Sequence, residues 1–285
     1  MKLEYNSKFY PEKLRKIENP PKQIFAMGNI EILNDMGIAI IGSRNCSTYG
    51  ARMAKMFTKK LNQYNINIIS GMALGIDKYA HTTTIEERGK TIAVLPCGFN
   101  HVYPKENIFL IDKIVNSNGC IISEYAPEEK ATSKRFLERN RIVSGISDGV
   151  LIVEGGYRSG TSVTAKLAKE QNKKVFCVPS SLENPKGLIP NKLIKEGAIL
   201  VRDEKDIIYN YENIEIKKIE VLENKNVSKE FVDLYNIIND EIYIDDIVRK
   251  SNLKIEEVNY QLMMLELKGI IEQLPGKRYR RKYNV

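Results

Sequence analysis

Three short segments of small residues stand where buried strands are predicted to end and helices to begin. They are Gly42-Ser43-Arg44, the segment 70–75 that opens with Ser70-Gly71, and Ser159-Gly160-Thr161-Ser162. Glycine lets backbone N–H groups approach a ligand closely, and a helix amino terminus offers free donors with a partial positive charge. Because the carboxyl ends of parallel strands share one edge of a sheet, the three loops are predicted to line one crevice that suits phosphate.

Arg44 lies inside the first of these loops, and a basic segment, Lys134 to Arg141, supplies further cations. On a helix, Phe136 and Arg139 share a face, with Lys134 at the helix start. An aromatic ring among cations is typical of a surface for single-stranded nucleic acid, since rings stack on bases while Lys and Arg follow the backbone. The alternatives are that Phe136 packs in the core and that Arg44 forms a structural ion pair.

Signals for catalysis are weak in this sequence. No G-x-G-x-x-G and no Walker-type G-x-x-x-x-G-K-[ST] follows Gly42. The segment 155–161 is similar to the P-G-G-x-G-T signature of nucleotide phosphoribohydrolases, but Glu154 replaces the proline and the hydrolytic glutamate after Gly-Thr is missing. Asp77 is predicted to cap its helix and His81 to bond to Asp77. A binding protein is therefore favoured over an enzyme, with a phosphoribohydrolase-like enzyme as an alternative.

Neither a metal site nor a cofactor is predicted. The four cysteines are far apart with no C-x-x-C pair, and the chain has only two histidines. This pattern supports neither a disulfide framework nor a zinc site, and reduced, buried thiols are expected.

The elements that must position these residues alternate along the chain from Ile38. Strands are predicted at 38–42, 66–70, 92–96, 120–124, 149–154, 175–178 and 199–201, and helices at 48–63, 77–88, 106–117, 133–145, 161–172 and 190–196. This alternation predicts a doubly wound, Rossmann-like, mostly parallel α/β sheet over 38–210. Residues 1–37 contain Tyr10-Pro11 and Asn19-Pro20-Pro21 and are interpreted as an N-terminal arm.

The charged segment 211–227 is predicted to be a linker, and residues 228–285 a small second domain. Helical patterns at 230–239, 244–251 and 255–267 precede a β-hairpin with a turn at Pro275-Gly276, which is the order of a winged helix. A transcription regulator with a metabolite-sensing α/β domain is thus a further alternative. Glu256 and Glu257 on the third helix disfavour duplex DNA binding, because they would face phosphates.

The composition of the 285-residue chain restricts its location and partners. The net charge is +8, with the basic excess in the first 210 residues, which favours a polyanionic partner. The mean hydropathy is −0.33. No segment approaches the roughly 20 apolar residues of a membrane span, and the charged amino terminus does not resemble a secretory signal. A cytoplasmic protein without a membrane partner is expected.

Taken together, the motifs from Tyr10 to Asn210 resemble the DNA-processing protein A family (DprA, also called Smf). The resemblance is carried by Ile40-Ile41-Gly42-Ser43-Arg44, Ser70 to Asp77 with Ala80-His81, Thr91 to Gly98 with Tyr103-Pro104, Ser123-Glu124-Tyr125, Phe136 to Arg141, Ser159-Gly160-Thr161 with Thr164-Ala165, and Asn191 to Ala198. The final segment resembles the winged-helix appendage of the family. Val178-Pro179-Ser180-Ser181 departs from the family, which usually has glycine after this proline.

The resemblance implies a homodimeric, sequence-independent single-stranded DNA binder that protects incoming DNA during natural transformation, loads the RecA recombinase and has no catalytic turnover. The family's DNA pocket implies Gly42, Ser43, Arg44, Phe136 and Arg139 with the nearby lysines. The full predicted DNA-binding set is Gly42, Ser43, Arg44, Ser70, Gly71, Lys105, Lys134, Phe136, Arg139, Asn140, Arg141, Ser159, Gly160, Thr161 and Lys166.

Overall fold

The computed structural model describes residues 1–157, 159–211, 229–238 and 241–281. The chain divides into two compact units, Met1–Ile219 and Glu220–Val285. Most of the predicted linker, residues 212–227, lies outside the described residues, so the predicted domain boundaries there stay predictions. Among the described helices, none is long and apolar enough to cross a membrane.

A mixed, mostly parallel sheet forms the centre of the first unit. Its strands are β1 (Lys2–Glu4), β2 (Gln23–Gly28), β3 (Gly37–Ile41), β4 (Asn67–Ser70), β5 (Thr91–Leu95), β6 (Cys120–Ser123), β7 (Gly149–Ile152), β8 (Lys174–Cys177) and β9 (Ile199–Leu200), in the spatial order β1-β2-β6-β5-β4-β3-β7-β8-β9. The strands from β6 to β9 in this order are parallel, whereas β1 and β2 pair in the antiparallel sense. The doubly wound prediction is confirmed. The chain proceeds outward from β3 in one direction and then returns to β7 at its other side, so the topological switch point lies between these two strands.

Helices cover both faces of the sheet because the central strands are apolar on both sides. The helices of this unit are α1 (Glu12–Arg15), α2 (Thr48–Asn62), α3 (Ile76–Glu86), α4 (Phe109–Asn116), α5 (Ser133–Ile146), α6 (Gly160–Glu170), α7 (Leu188–Lys195) and α8 (Lys205–Ile208). In β3, Ile38 and Ile40 pack with Phe57 of α2, whereas Ala39 and Ile41 belong to the core that contains Ile142 of α5. The run GIAII is therefore buried at every position, as expected of a parallel strand covered on both faces.

The amino-terminal segment corrects one prediction. Residues 1–37 are not a separate arm, because β1 and β2 extend the sheet beyond β6 and their residues enter its core. Leu3, Leu14 and Ile24 are buried there, and the Tyr10 hydroxyl donates to the Pro21 carbonyl at 2.7 Å. Pro11, Pro20 and Pro21 lie in the connections between these short elements.

The second unit is a winged helix, as predicted. It contains α9 (Val232–Ile237), α10 (Ile244–Ser251) and α11 (Ile255–Leu267), with β10 (Ile242–Tyr243), β11 (Ile271–Leu274) and β12 (Arg278–Arg281) in the order β10-β12-β11. Its own core contains Leu234, Ile247, Leu262 and Ile271. The short strand β10, which pairs with the hairpin strand β12, was not predicted.

Candidate functional site

The loop that follows β3 is the centre of the candidate site, because it leaves the sheet at the switch point. Gly42 permits its path, since a Cβ there would lie 2.6 Å from Ile76 Cγ1 and 3.0 Å from the Glu154 carbonyl oxygen. The Ile76 N–H donates to the Ser43 carbonyl at 3.2 Å, which fastens the loop to the start of α3. A larger residue at 42 would separate these elements.

Arg44 extends from this loop onto the ring of Phe136, which lies in the first turns of α5. The guanidinium carbon is 4.6 Å from the ring centroid, a cation–π distance. Tyr103, from the loop after β5, meets the same ring edge-on with centroids 5.6 Å apart. Arg44 is exposed and Tyr103 is 49% exposed. We call these three side chains the Arg44–Phe136–Tyr103 cluster; it joins residues from three elements at the carboxyl edge of the sheet.

Arg139 has a different place from the one predicted. Its side chain is 4% exposed, and its guanidinium donates to the carbonyls of Gly71 and Val94 rather than facing solvent. Burial lowers the pKa of Arg139 to about 10, while the nearby Asp77 carboxylate opposes that shift. The predicted DNA contact from Arg139 is therefore corrected: this side chain positions the loop at Gly71, next to the exposed cluster.

Asp77 and His81 also depart from the prediction. Asp77 does not cap α3; its Oδ2 accepts from the N–H groups of Gly71 at 3.1 Å and Ala73 at 3.3 Å. Burial raises its pKa, and Arg139 and these backbone donors oppose the rise. His81 Nδ1 lies 2.7 Å from Thr91 Oγ1 instead of bonding to Asp77, and burial lowers the pKa of His81 to about 3. Both side chains hold the loop and its supporting helix.

Glu154 was not in the predicted site, although it supports the loop from behind. It is fully buried two residues after the end of β7, where its Oε2 accepts from Ser47 N–H at 2.9 Å and its Oε1 from the Ser47 hydroxyl. Ser47 in turn caps α2, its hydroxyl accepting from Gly50 N–H at 3.0 Å. A Cβ at Gly50 would come within 2.4 Å of the carboxylate. The available sequence signal was a charged residue ending an apolar strand.

The predicted lysines lie at the surface around this edge. Lys105 is exposed on a 3₁₀ turn, Lys105–Asn107, whose Asn107 amide donates to the carbonyls of Met72 and Ala73. Lys134 is 84% exposed and its Nζ lies 3.4 Å from Glu138 Oε1. Lys166 is exposed on α6, with its Nζ 3.6 Å from Glu170 Oε1.

The remaining predicted residues are mostly structural. The guanidinium of Arg141 bonds both carboxylate oxygens of Glu124 at 2.7 Å, and the buried Ser70 hydroxyl donates to the Ile40 carbonyl at 2.7 Å. Gly160 is exposed at the start of α6, and a Cβ there would lie 3.9 Å from the amide nitrogen of Asn140. Thr161 is buried, and the buried Ser159 hydroxyl has no hydrogen-bond partner within the part of the chain that the structure describes.

Comparison with known proteins identifies the family. The sequence profile of DNA recombination-mediator protein A matches residues 2–212. The chain belongs to this family. The profile of the DprA winged helix domain matches residues 237–277, within the second unit. The resemblance inferred from the motifs is thereby confirmed.

Individual DprA relatives match most of the chain. Protein Smf of Escherichia coli is 34% identical over 279 residues, which is 95% of this chain and 75% of that protein. DNA processing protein DprA of Bacillus subtilis is 40% identical over 203 residues, covering 71% of this chain and 68% of that protein. Homology therefore extends well beyond the separate motifs.

Two solved DprA structures share the fold. DprA from Streptococcus pneumoniae gives a TM-score of 0.71 at 35% identity, covering 74% of each chain. DNA processing protein A from Helicobacter pylori, whose structure is described as showing a single-stranded DNA binding mode, gives 0.64 at 30% identity, covering 70% of this chain and 91% of that one. The first unit of this chain therefore shares the fold of these two proteins.

Proposed function

We propose that this chain binds single-stranded DNA in the cytoplasm without reading its sequence, protects the strand, and loads the RecA recombinase onto it as a homodimer, with no catalytic turnover. The observation that carries the proposal is the exposed guanidinium of Arg44 against the ring of Phe136 at the carboxyl edge of the sheet. The relative from Helicobacter pylori, described as binding single-stranded DNA, supports it.

The chemistry of the Arg44–Phe136–Tyr103 cluster suits an unpaired strand. Every base offers a planar face for stacking, so an aromatic platform binds bases without discriminating among them. Arg44 carries a permanent charge for phosphate, and Lys105 and Lys134 lie exposed around the edge. A duplex keeps its base faces stacked inside the helix, so these rings favour the single strand.

Binding is favoured over catalysis by the engagement of the two buried carboxylates beside the cluster. Asp77 accepts from two backbone N–H groups, and Glu154 accepts from the N–H and hydroxyl of Ser47. Both carboxylates therefore stabilise loops. A general base needs a carboxylate within reach of substrate, and these oxygens already serve the protein's own donors.

Dimerisation, strand protection and RecA loading are proposed from membership of the family. A dimer with two pockets would gain avidity on a strand long enough to reach both. Equal affinity for one-site and two-site oligonucleotides would contradict this part of the proposal. RecA loading is tested by measuring how fast RecA filaments form on strands covered with single-strand-binding protein. This chain should raise that rate.

The first experiment is fluorescence anisotropy with labelled single-stranded and duplex oligonucleotides of equal length. We expect the single strand to bind more tightly, with an affinity that falls with salt at a logarithmic slope of about −0.7 per phosphate contacted. Arg44→Ala should weaken binding strongly. The matched control is Arg88→Ala, because Arg88 is an exposed arginine just after α3, at the opposite edge of the sheet.

Three results would contradict the proposal. A preference for duplex would point to another nucleic-acid activity, and wild-type affinity in a folded Arg44→Ala variant would remove the cluster from the binding site. Loss of affinity in Arg88→Ala equal to that in Arg44→Ala would show that only overall charge matters.

A further inference from the structure

A second exposed aromatic ring with cations stands at the carboxyl edge, outside the predicted DNA-binding set. Phe109, the first residue of α4, is 44% exposed. The Nζ of Lys113, one turn later, lies 5.2 Å from its ring centroid, and the Nζ of Lys78 in the first turn of α3 lies 5.7 Å from it. This arrangement repeats the combination of ring and cation found at Arg44 and Phe136.

Phe109 and the Arg44–Phe136–Tyr103 cluster lie at the same edge of the sheet and are held by the same loop, residues 71–73. Both α3 and α4 begin at the carboxyl edge, since they follow the parallel strands β4 and β5. The Asn107 amide, two residues before Phe109, donates to the carbonyls of Met72 at 2.9 Å and Ala73 at 3.0 Å. The loop that contains Met72 and Ala73 also accepts a hydrogen bond from the guanidinium of Arg139, at the Gly71 carbonyl. Asn107 and Arg139 therefore both hold this loop in place.

The charges around Phe109 are free to meet an anion. Within the described ranges, Lys78, Lys105 and Lys113 form no ion pair, although the exposed acids Glu106 and Asp112 are their neighbours in sequence. Other lysines of this unit pair closely, as Lys59 does with Glu87 at 2.8 Å. Cations held beside a ring without an acidic partner complement a phosphate backbone with stacked bases.

The two aromatic sites lie within reach of one strand. Tyr103 contacts the Phe136 ring and is six residues before Phe109. Six residues span at most about 20 Å of chain. An unpaired strand of about six nucleotides covers that length even at the rise of about 3.4 Å per nucleotide that a strand has in a duplex.

We propose that Phe109, flanked by Lys78 and Lys113, is a second base-stacking subsite for single-stranded DNA, reached by the strand that occupies Phe136 and passes Tyr103. The inference rests on the proposed function, because it extends the path of the same ligand. It assigns the face of α3 and α4 to nucleic acid rather than to a protein partner.

Anisotropy with two oligothymidylates, four and twelve nucleotides long, tests the subsite. Phe109→Ala should bind the short strand like the wild type and the long strand about five- to tenfold more weakly, because only the long strand reaches the second ring. Phe109→Tyr, which keeps a stacking face, should restore long-strand affinity. Tyr209→Ala is the matched control: its ring is 75% exposed beside Asn210, whose carbonyl accepts from Lys174 at the amino end of β8.

The lysines provide a second readout. The double variant Lys78→Gln with Lys113→Gln should reduce the salt slope for the long strand by about 1.4, at about 0.7 per lost phosphate contact, and leave the short strand unchanged. Lys205→Gln, an exposed lysine that begins α8, should change neither slope.

The possible outcomes separate the two proposals. A wild type that binds neither strand refutes the proposed function. A wild type that binds both, with Phe109→Ala equal to it on the long strand, refutes the subsite alone. Equal weakening of the short and long strands by Phe109→Ala also overturns the subsite, because the ring would then act by shaping the first site.

Discussion

Replacing Arg44 and Phe136 singly and together tests whether the two side chains act as one platform. The guanidinium lies 4.6 Å from the ring centroid, so each residue orients the other before DNA arrives. Loss of base stacking in Phe136→Ala should cost about 1–3 kcal/mol of binding free energy, roughly 5- to 150-fold in Kd. In that variant, Arg44 has already lost the ring that orients it, so removing Arg44 as well should cost only its attraction to phosphate.

The expected coupling follows from the contact itself. A cation–π contact at an exposed site is worth about 0.5–1 kcal/mol. Because the contact already exists in the free protein, only the part of this energy that DNA adds enters the binding free energy. The double variant should therefore bind up to about fivefold more tightly than the product of the two single effects predicts. The four proteins are compared by anisotropy on a short oligothymidylate at one salt concentration. Their free energies of unfolding in urea are measured in parallel, to separate effects on folding from effects on binding.

Additivity within about 0.3 kcal/mol would refute this reasoning, because independent sites behave in that way. It would mean that Arg44 and Phe136 contact DNA separately, with their contact in the free protein irrelevant to binding. Arg88→Ala combined with Phe136→Ala serves as the additive reference pair, since these two residues belong to opposite edges of the sheet.

Two further predictions concern stability. Burial lowers the pKa of His81 to about 3, so the unfolded chain binds a proton at this residue more readily than the folded chain does. The free energy of unfolding should therefore be highest above pH 6.5, the ordinary pKa of histidine, and should fall below that pH by up to about 1.4 kcal/mol per pH unit. Urea unfolding between pH 7 and 4 should show a shallower loss for His81→Gln, and equal slopes would contradict this assignment. Gly50→Ala should lower the melting temperature by several degrees, because its Cβ would lie 2.4 Å from the Glu154 carboxylate. Gly160→Ala is the control and should leave the melting temperature unchanged, because its Cβ would meet only Asn140, at 3.9 Å. Similar melting temperatures for the two variants would argue against the close approach of Gly50 and Glu154.

Much of the fold could be predicted because its signals are local. The buried strands of the sheet are short apolar runs, and α10 and α11 have the predicted bounds, since periodicity and flanking residues mark them. The strand β1 has three residues with one buried side chain, too few for a periodic pattern, and its place is decided by pairing with β2. The residues near β1 in the sequence carry no signal of this long-range pairing.

The candidate site shows the same division. Gly42-Ser43-Arg44 and Phe136 were predicted from a loop after a strand and from helical spacing. Helical spacing also placed Arg139 beside Phe136, but it does not reveal which side chain of that face turns inward. Tyr103 and Glu154 act through partners 33 and 107 residues away in sequence, and only the folded chain brings these together.

The contact between Gly50 and Glu154 also links the substitutions that these two positions can accept. While the carboxylate occupies the start of α2, any side chain at position 50 meets it within van der Waals distance. A side chain at position 50 is therefore easier to accommodate once a shorter residue stands at position 154, but that change leaves Ser47 without its acceptor. Substitutions at the two positions should therefore depend on each other.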